Sequence, residues 1–305
     1  MEATRRAPDV ADRPATPVGW RARIEAALAA LVLVGFRAVS LDRASALGGV
    51  VARSIGPHLG ISRRARQNLR AAMPELSEAE IARIIRGMWD NLGRVAAEYP
   101  HLRAIKVFEP GGRVETRGLE HLDQALAASR RVILFSAHLG NWEIAALSAG
   151  QYGLDIAQIY RAANNPLVDR MASRLRGQQG ELIPKGAIAS RRAVAALRRG
   201  GHLSLLVDQK LNDGIAVPFF GRDAMTAPAL AMLALHFDCD VLPVRVERLE
   251  GAHFQLTVHP RLEVTRTGDR DADILALMTE VNRMIEGWIR ERPEQWLWLH
   301  RRWPD

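Results

Sequence analysis

From about residue 107 onward the sequence changes texture, and that change constrains the fold more than any other feature. Short apolar runs, VILF (132–135), LSLLV (203–207) and VLPVRV (241–246), alternate with helical stretches at 118–129, 142–149, 166–177, 189–199 and 228–237. Strands that alternate with helices form a sheet packed under helices, so the fold class read from the chain is α/β. HFQLTV (253–258) follows Glu250-Gly251 and reads as the second arm of a hairpin, and residues 271–291 read as a C-terminal helix ended by Pro293.

The first third is helical. SRRARQNLRAAM (62–73) is a basic helix, and Ser77-x-x-Glu80 is a capping box that opens a longer one, with Ile81, Ile84, Met88, Leu92 and Val95 on one stripe. Residues 1–19, with Pro8, Pro14 and Pro17, read as a disordered tail. Residues 26–36 (AALAALVLVGF) are uncharged but fall short of the roughly 18–20 residues that a spanning helix needs. Residues 44–55 (ASALGGVVARSI) form a second small apolar stretch, broken only by Arg53. Two readings stay open: a pair of helices lying on or dipping into one membrane leaflet, or two ordinary core helices. Polar residues precede Trp20 and no A-x-A site follows Phe36, so export is not expected. The divisions implied are a tail at 1–19, membrane-associating helices at 20–57, a helical region at 58–106 and an α/β domain at 107–305.

Composition narrows the partners. Cys239 is the only cysteine, which excludes intramolecular disulfides and Cys-rich zinc modules. The formal charge is +8, and since Lys106, Lys185 and Lys210 are the only lysines, nearly all of that basicity is arginine. An anionic partner is implied: nucleic acid, an anionic membrane surface, or an acidic protein or substrate. Against nucleic acid, Arg63, Arg64 and Arg66 have neither an aromatic RNA-binding run nor helix-turn-helix spacing beside them.

The most informative segment is VILFSAHLGNWEIAAL (132–147). A buried strand ends at Ser136, a turn carries His138 and Gly140, Asn141 is a candidate N-cap, and Glu143 falls in the first turn of the next helix. On a continuous helix His138 and Glu143 would point about 140° apart, but the strand-to-helix turn removes that objection. Glu143 can then hold one imidazole nitrogen and leave the other as a base for activating a hydroxyl. Nine histidines in a chain of this acidity give about one accidental His-x4-acid pair, and His300-x4-Asp305 is a second match, read as a decoy for want of a strand-to-helix turn. Taken alone, His138 reads first as a core or capping histidine.

Five blocks in order carry a resemblance: SAHLGNWE, YRAANNPLVD (160–169), Asp208-Gln209 with Gly214, VPFFGRDAMTAPALA (217–231) and QWLWLHRRW (295–303). Together they resemble the bacterial lipid A biosynthesis acyltransferases, the late lauroyl and myristoyl enzymes within the glycerolipid acyltransferase superfamily, over roughly residues 20–303. The resemblance implies a glycerolipid-acyltransferase-like sheet flanked by helices. It also implies transfer of a fatty acyl group from acyl carrier protein to the hydroxyl of a 3-hydroxyacyl chain on a lipid A precursor, at the cytoplasmic face of the inner membrane. His138 and Glu143 are the expected catalytic pair. Arg161, at a strand end, is expected to bind anionic substrate, with a surface pair to Asp169 as its alternative; Asn164 and Asp169 shape its loop. Asp208 and Gln209 belong to a loop rather than a metal site, and Phe220 and Thr226 either line the acyl tunnel or pack in the core. No cofactor or metal is expected, because a thioester donor is already activated. The rivals are an acyltransferase for a phosphatidylinositol mannoside or lysophospholipid using acyl-CoA and, more remotely, a basic nucleic-acid-binding protein.

Overall fold

The computed structural model describes residues 19–176, 180–186 and 188–303, so the expected tail lies outside the described residues except for Gly19. Four helices come first: α1 (Trp20–Arg37), α2 (Leu41–Ile55), α3 (Ser62–Ala72) and α4 (Glu78–Glu98). The capping box closes as the spacing requires, with Glu80 N donating to Ser77 Oγ at 3.3 Å and Ser77 N donating to Glu80 Oε2 at 2.8 Å. α2 and α4 meet through glycine, because a Cβ on Gly93 would lie 2.2 Å from Gly48 O and one on Gly48 would lie 2.4 Å from Gly93 O. Only bare backbone fits at that crossing.

Strands and helices then alternate: β1 (Val114–Arg117), α5 (Leu119–Ala127), β2 (Val132–Ser136), α6 (Glu143–Gln151), β3 (Ile156–Tyr160), α7 (Pro166–Arg176), β4 (Glu181–Pro184), α8 (Ala189–Arg198) and β5 (His202–Leu206). A hairpin of β6 (Lys210–Phe219) and β7 (Arg222–Thr226) leads to α9 (Ala229–Phe237), β8 (Asp240–Arg248), β9 (Phe254–Val258) and α10 (Arg270–Glu291). Seven strands make one sheet in the order β1-β9-β8-β2-β5-β3-β4, parallel throughout except for the β8–β9 hairpin. Alternate residues of the central strand serve opposite faces. Ile133 and Phe135 join a core with α3, α4, α8, α9 and α10, while Val132 and Leu134 join a second core with α5, α6 and β9. This is the helix-covered α/β sheet that the alternation of the sequence required.

The first two helices are only partly accommodated. Ala26 is the one buried residue of α1, whereas Trp20, Ile24, Leu28, Leu31, Val32 and Val34 are exposed. α2 buries Leu41, Ala44, Gly48 and Gly49 but exposes Leu47, Val50, Val51 and Ile55. Among the described residues no helix is long and apolar enough to cross a membrane.

Candidate active site

Strand register builds the site. β2 and β5 are parallel neighbours with Ile133 opposite Leu203 and Ser136 opposite Leu206, so the same register carried past the strand ends sets His138 beside Asp208. β3 and β4 pair with Tyr160 opposite Pro184, which likewise sets Arg161 beside Lys185. All four residues therefore project from the carboxyl edge of parallel strands, where open α/β sheets bind their ligands.

His138 is fixed twice by one carboxylate. Its backbone N donates to Asp208 Oδ2 at 2.9 Å, and its Nδ1 lies 2.8 Å from Asp208 Oδ1. A carboxylate only accepts, so Nδ1 carries the hydrogen and Nε2 keeps its lone pair. Gln209 Nε2 sits 3.3 Å from that nitrogen. Asp208 is 1% exposed, and its Oδ2 also accepts from Trp296 Nε1 at 2.8 Å. Burial pushes the Asp208 carboxyl up, but the charge and hydrogen bonds of His138, with the nearby His300, outweigh it and hold the group well below the ordinary carboxylate range.

The expected His138–Glu143 hydrogen bond is not formed. Glu143 Oε1 accepts from Tyr99 Oη at 2.6 Å, Trp142 Nε1 at 3.2 Å and Arg176 Nη2 at 2.8 Å, and Oε2 accepts from Arg176 Nε at 2.8 Å. With four donors on two buried oxygens, nothing remains for the imidazole. Burial alone would raise its pKa, and the Arg176 bonds, then those of Tyr99 and Trp142, bring it below the ordinary value. Arg176 in turn lies over the rings of Tyr99 and Tyr160 at 5.7 and 5.2 Å and forms part of the chamber wall. Glu143 thus braces a chamber cation, and Asp208, which sequence reasoning assigned to a loop, orients the imidazole. The signal was present: Asp208 follows LSLLV as His138 follows VILFSA, each a polar group just past a buried strand.

Two connected spaces open at this edge. A chamber of about 350 Å³ is lined by His138, Trp142, Arg161, Asn164, Arg176 and Lys185, among others. Beside it runs a cleft of about 1170 Å³ with an apolar wall of Ala193, Leu205, Leu230 and Leu233 and with Arg64, Lys210, Asp213 and Arg270 also along it; Arg161, Lys185, Gln209 and His300 border both spaces. Arg161 is exposed and makes no ion pair with Asp169 among the described residues. Asp169 instead accepts from Tyr160 Oη at 3.1 Å and from Ala163 N at 2.9 Å, which shapes the loop. Lys185 was missed by sequence reasoning; burial and the neighbouring Arg161 lower its pKa against the pull of Asp208.

Of the two readings left open for Phe220 and Thr226, tunnel wall or core, both residues take the core. Phe220 is buried at the β6–β7 turn, ring to ring with Phe219, Trp298 and Trp303, and its backbone N donates to Glu286 Oε2 at 2.6 Å. Thr226 is fully buried and accepts from Arg302 Nη2 at 2.8 Å. Both settle in the core, where Phe220 packs on the C-terminal tryptophans and Thr226 bonds to Arg302, while Leu211 of the same hairpin borders the cleft.

His300, a decoy by its sequence context, lies at the chamber beside His138. The C-terminal segment runs beside the His138 turn, with Gly140 N donating to Gln295 O at 3.1 Å and Leu297 N to His138 O at 3.2 Å. This brings the His300 ring edge-on to His138, 5.0 Å between centroids. His138, Asp208 and His300 all have ligand atoms within 4.8 Å of one another, a donor set that divalent transition metals accept. Asp208 spends Oδ1 on the His138 Nδ1–H, however, so the arrangement reads as a hydrogen-bonded dyad with a second imidazole beside it.

An imidazole held by a buried carboxylate beside a cation-lined chamber can take the proton of a hydroxyl as it attacks an acyl group. The sequence profile of the bacterial lipid A biosynthesis acyltransferases matches residues 21–305, and the chain belongs to that family. It is 28% identical over 246 residues to the lipid A biosynthesis lauroyltransferase of Escherichia coli (77% of this chain, 76% of that one). It is also 23% identical over 239 residues to a lipid A biosynthesis acyltransferase of Haemophilus influenzae (77% and 73%). A phosphatidylinositol mannoside acyltransferase of Mycobacterium tuberculosis is 28% identical over 195 residues (61% and 58%).

Proposed function

We propose that this acyltransferase moves a fatty acyl group from acyl carrier protein to the hydroxyl of a 3-hydroxyacyl chain on a lipid A precursor. The observation that carries the chemistry is the Asp208–His138 hydrogen bond at 2.8 Å, which leaves Nε2 as the basic nitrogen beside the chamber. The acceptor hydroxyl displaces the long Gln209 contact and gives its proton to Nε2 as its oxygen bonds to the thioester carbon. The carbonyl electron pair moves onto oxygen and then returns, the C–S bond breaks, and the proton passes from His138 to the departing thiolate. Ester and thiol result, with no net change at the enzyme.

Asp208 orients the base and stabilises the transient imidazolium, and Glu143 acts by holding Arg176 in the chamber wall. Arg161, with Lys185 beside it, takes an anionic group of donor or acceptor, and a guanidinium suits phosphate through its paired donors. The cleft takes the acyl chain along its apolar wall. The exposed apolar faces of α1 and α2, with Arg21, Arg23, Arg37 and Arg53 around them, support attachment to the anionic cytoplasmic surface of the inner membrane without a span.

Mass spectrometry of lipid A from cells lacking and then regaining the gene tests this reading. A difference of one acyl group on lipid A is expected; unchanged lipid A refutes it. The similarity to the mycobacterial enzyme favours one second reading, acylation of a phosphatidylinositol mannoside or lysophospholipid from acyl-CoA. A mass change confined to phospholipids would select it.

A further inference from the structure

We propose that His300 is a second catalytic residue, a neutral imidazole whose N–H stabilises the oxyanion formed when the acceptor hydroxyl adds to the thioester carbonyl. The inference rests on the acyl-transfer reading of the site and adds a role that the dyad does not fill.

The first support is position. His300 borders both the chamber and the cleft, so it stands where a thioester carbon must lie if its chain is in the cleft and its carbonyl faces the base. Its ring centroid is 5.0 Å from that of His138, with the planes at 69°. A carbonyl under attack by a hydroxyl held on His138 Nε2 places its oxygen within reach of a donor at that separation.

The second support is that the ring is held in place yet uses none of its own hydrogen-bonding capacity. Asn68 Nδ2 donates to His300 O and to Trp298 O, both at 2.8 Å, and Arg64 Nη1 donates to Leu299 O at 3.4 Å. Two residues from Trp298, Trp296 is tied to the dyad carboxylate. Among the described residues, however, His300 Nε2 is buried without a partner, and no side-chain hydrogen bond engages Nδ1. Nε2 is closed to solvent, so the nitrogen open to the two spaces is Nδ1, and a substrate oxygen there would give the ring the partner it lacks.

The third support is charge. Burial, the adjoining His138 and the cations Arg161 and Lys185 push the His300 imidazole down to about 4, against the opposing pull of Asp208. At neutral pH one ring nitrogen therefore carries a hydrogen and the ring carries no charge. A neutral imidazole with a depressed pKa donates to a developing oxyanion without giving up its proton, so His138 alone handles proton transfer.

The test uses full-length enzyme, an acyl-acyl carrier protein donor and a lipid A precursor acceptor. His300→Phe keeps the ring packing against His138 and removes the donor, and His300→Gln restores a donor of different reach. The Phe variant should lose about 10²–10³-fold in kcat, with donor KM within about threefold of wild type and an unchanged melting temperature; the Gln variant should recover part of the loss. A folded Phe variant with kcat within about threefold of wild type overturns the proposal.

Should the Phe variant fail to fold, the wild-type enzyme decides. Acyl carrier protein bearing a ketone analogue of the thioester, with CH₂ in place of sulfur, should bring out a slowly exchanging imidazole N–H proton absent from free enzyme. No such proton overturns the proposal. A wild-type enzyme inactive on this donor and acceptor would instead refute the substrate reading above, an outcome distinct from an active wild type with an indifferent His300→Phe.

Discussion

Asp208→Asn separates the two carboxylates that could orient His138. Asp208 accepts three hydrogen bonds: from His138 N at 2.9 Å and Trp296 Nε1 at 2.8 Å on Oδ2, and from His138 Nδ1 at 2.8 Å on Oδ1. An asparagine must keep its carbonyl oxygen toward the two fixed N–H groups, since the reverse orientation opposes donor to donor. Its NH₂ then faces Nδ1, which has to become the acceptor. The hydrogen moves to Nε2 and the base is lost with little change in shape, a substitution of the kind that costs about 10⁴-fold in kcat in a Ser-His-Asp enzyme, or roughly 5 kcal/mol of barrier. Stability should fall by no more than about 1.5–3 kcal/mol, the worth of one charge-assisted hydrogen bond. Glu143→Gln should behave in the opposite way. It leaves Arg176 in a largely buried setting without its counter-charge, which costs about 3–5 kcal/mol of stability, while the His138–Asp208 geometry stays intact. Steady-state kcat and KM with an acyl thioester donor, measured beside urea unfolding of both variants, give the comparison. Asp208→Asn within about tenfold of wild type, or Glu143→Gln inactive at unchanged stability, would refute the assignment of Asp208 as the orienting group.

Arg161→Ala should lower kcat/KM about 10- to 150-fold without lowering the melting temperature, and Arg161→Lys should keep part of the activity; near-wild-type kinetics for the alanine variant would remove Arg161 from the site. Leu28→Glu with Leu31→Glu, on the exposed face of α1, should move the protein from the membrane to the soluble fraction on sedimentation while leaving activity on detergent-dispersed acceptor near wild type. Because the His300 pKa is lower folded than unfolded, the unfolded chain binds more protons between pH 6.5 and about 4, so stability is lost as pH falls through that window. From pH 7 to pH 5 the His300 contribution should shrink by about 2 kcal/mol, and urea unfolding should find that difference between wild type and His300→Gln.

What the sequence disclosed was local. VILF, LSLLV and VLPVRV are strands because their apolar side chains enter the two cores on either side of one sheet, and the Ser77/Glu80 box caps α4 because four residues suffice to specify it. β1 and β4 went unmarked, since four-residue edge strands with exposed positions lack an apolar run. The His138 partner was misjudged for a physical reason: a five-residue spacing is visible along the chain, while a contact 70 residues away exists only after β2 and β5 pair in register. Phe220 and Thr226 show the converse limit, for an apolar or hydroxyl residue in a recognisable block looks the same whether it lines a tunnel or fills a core.

The C-terminal block explains why the dyad needs more than the sheet. Parallel strands set His138 beside Asp208, but the buried Asp208 Oδ2 needs a donor beyond His138 N, and the imidazole needs a cover. Trp296 supplies that donor and His300 that cover, on a segment held from three sides. Leu139 bridges Trp296 in the antiparallel sense, Asn91 Nδ2 donates to Gly140 O at 2.9 Å and to Gln295 O at 3.2 Å, and Asn68 clamps the carbonyls of Trp298 and His300. Asn91 and Asn68 sit on α4 and α3, so the helical first third reaches the catalytic edge through the C-terminal segment. Asn91 Oδ1 also accepts from Arg248 Nε at 2.8 Å, and Arg248 pairs with the buried Glu98 at the end of α4. Asn68, Asn91, Arg248 and Glu98 therefore make α3, α4, the end of β8 and the C-terminal segment one hydrogen-bonded frame around the His138 turn.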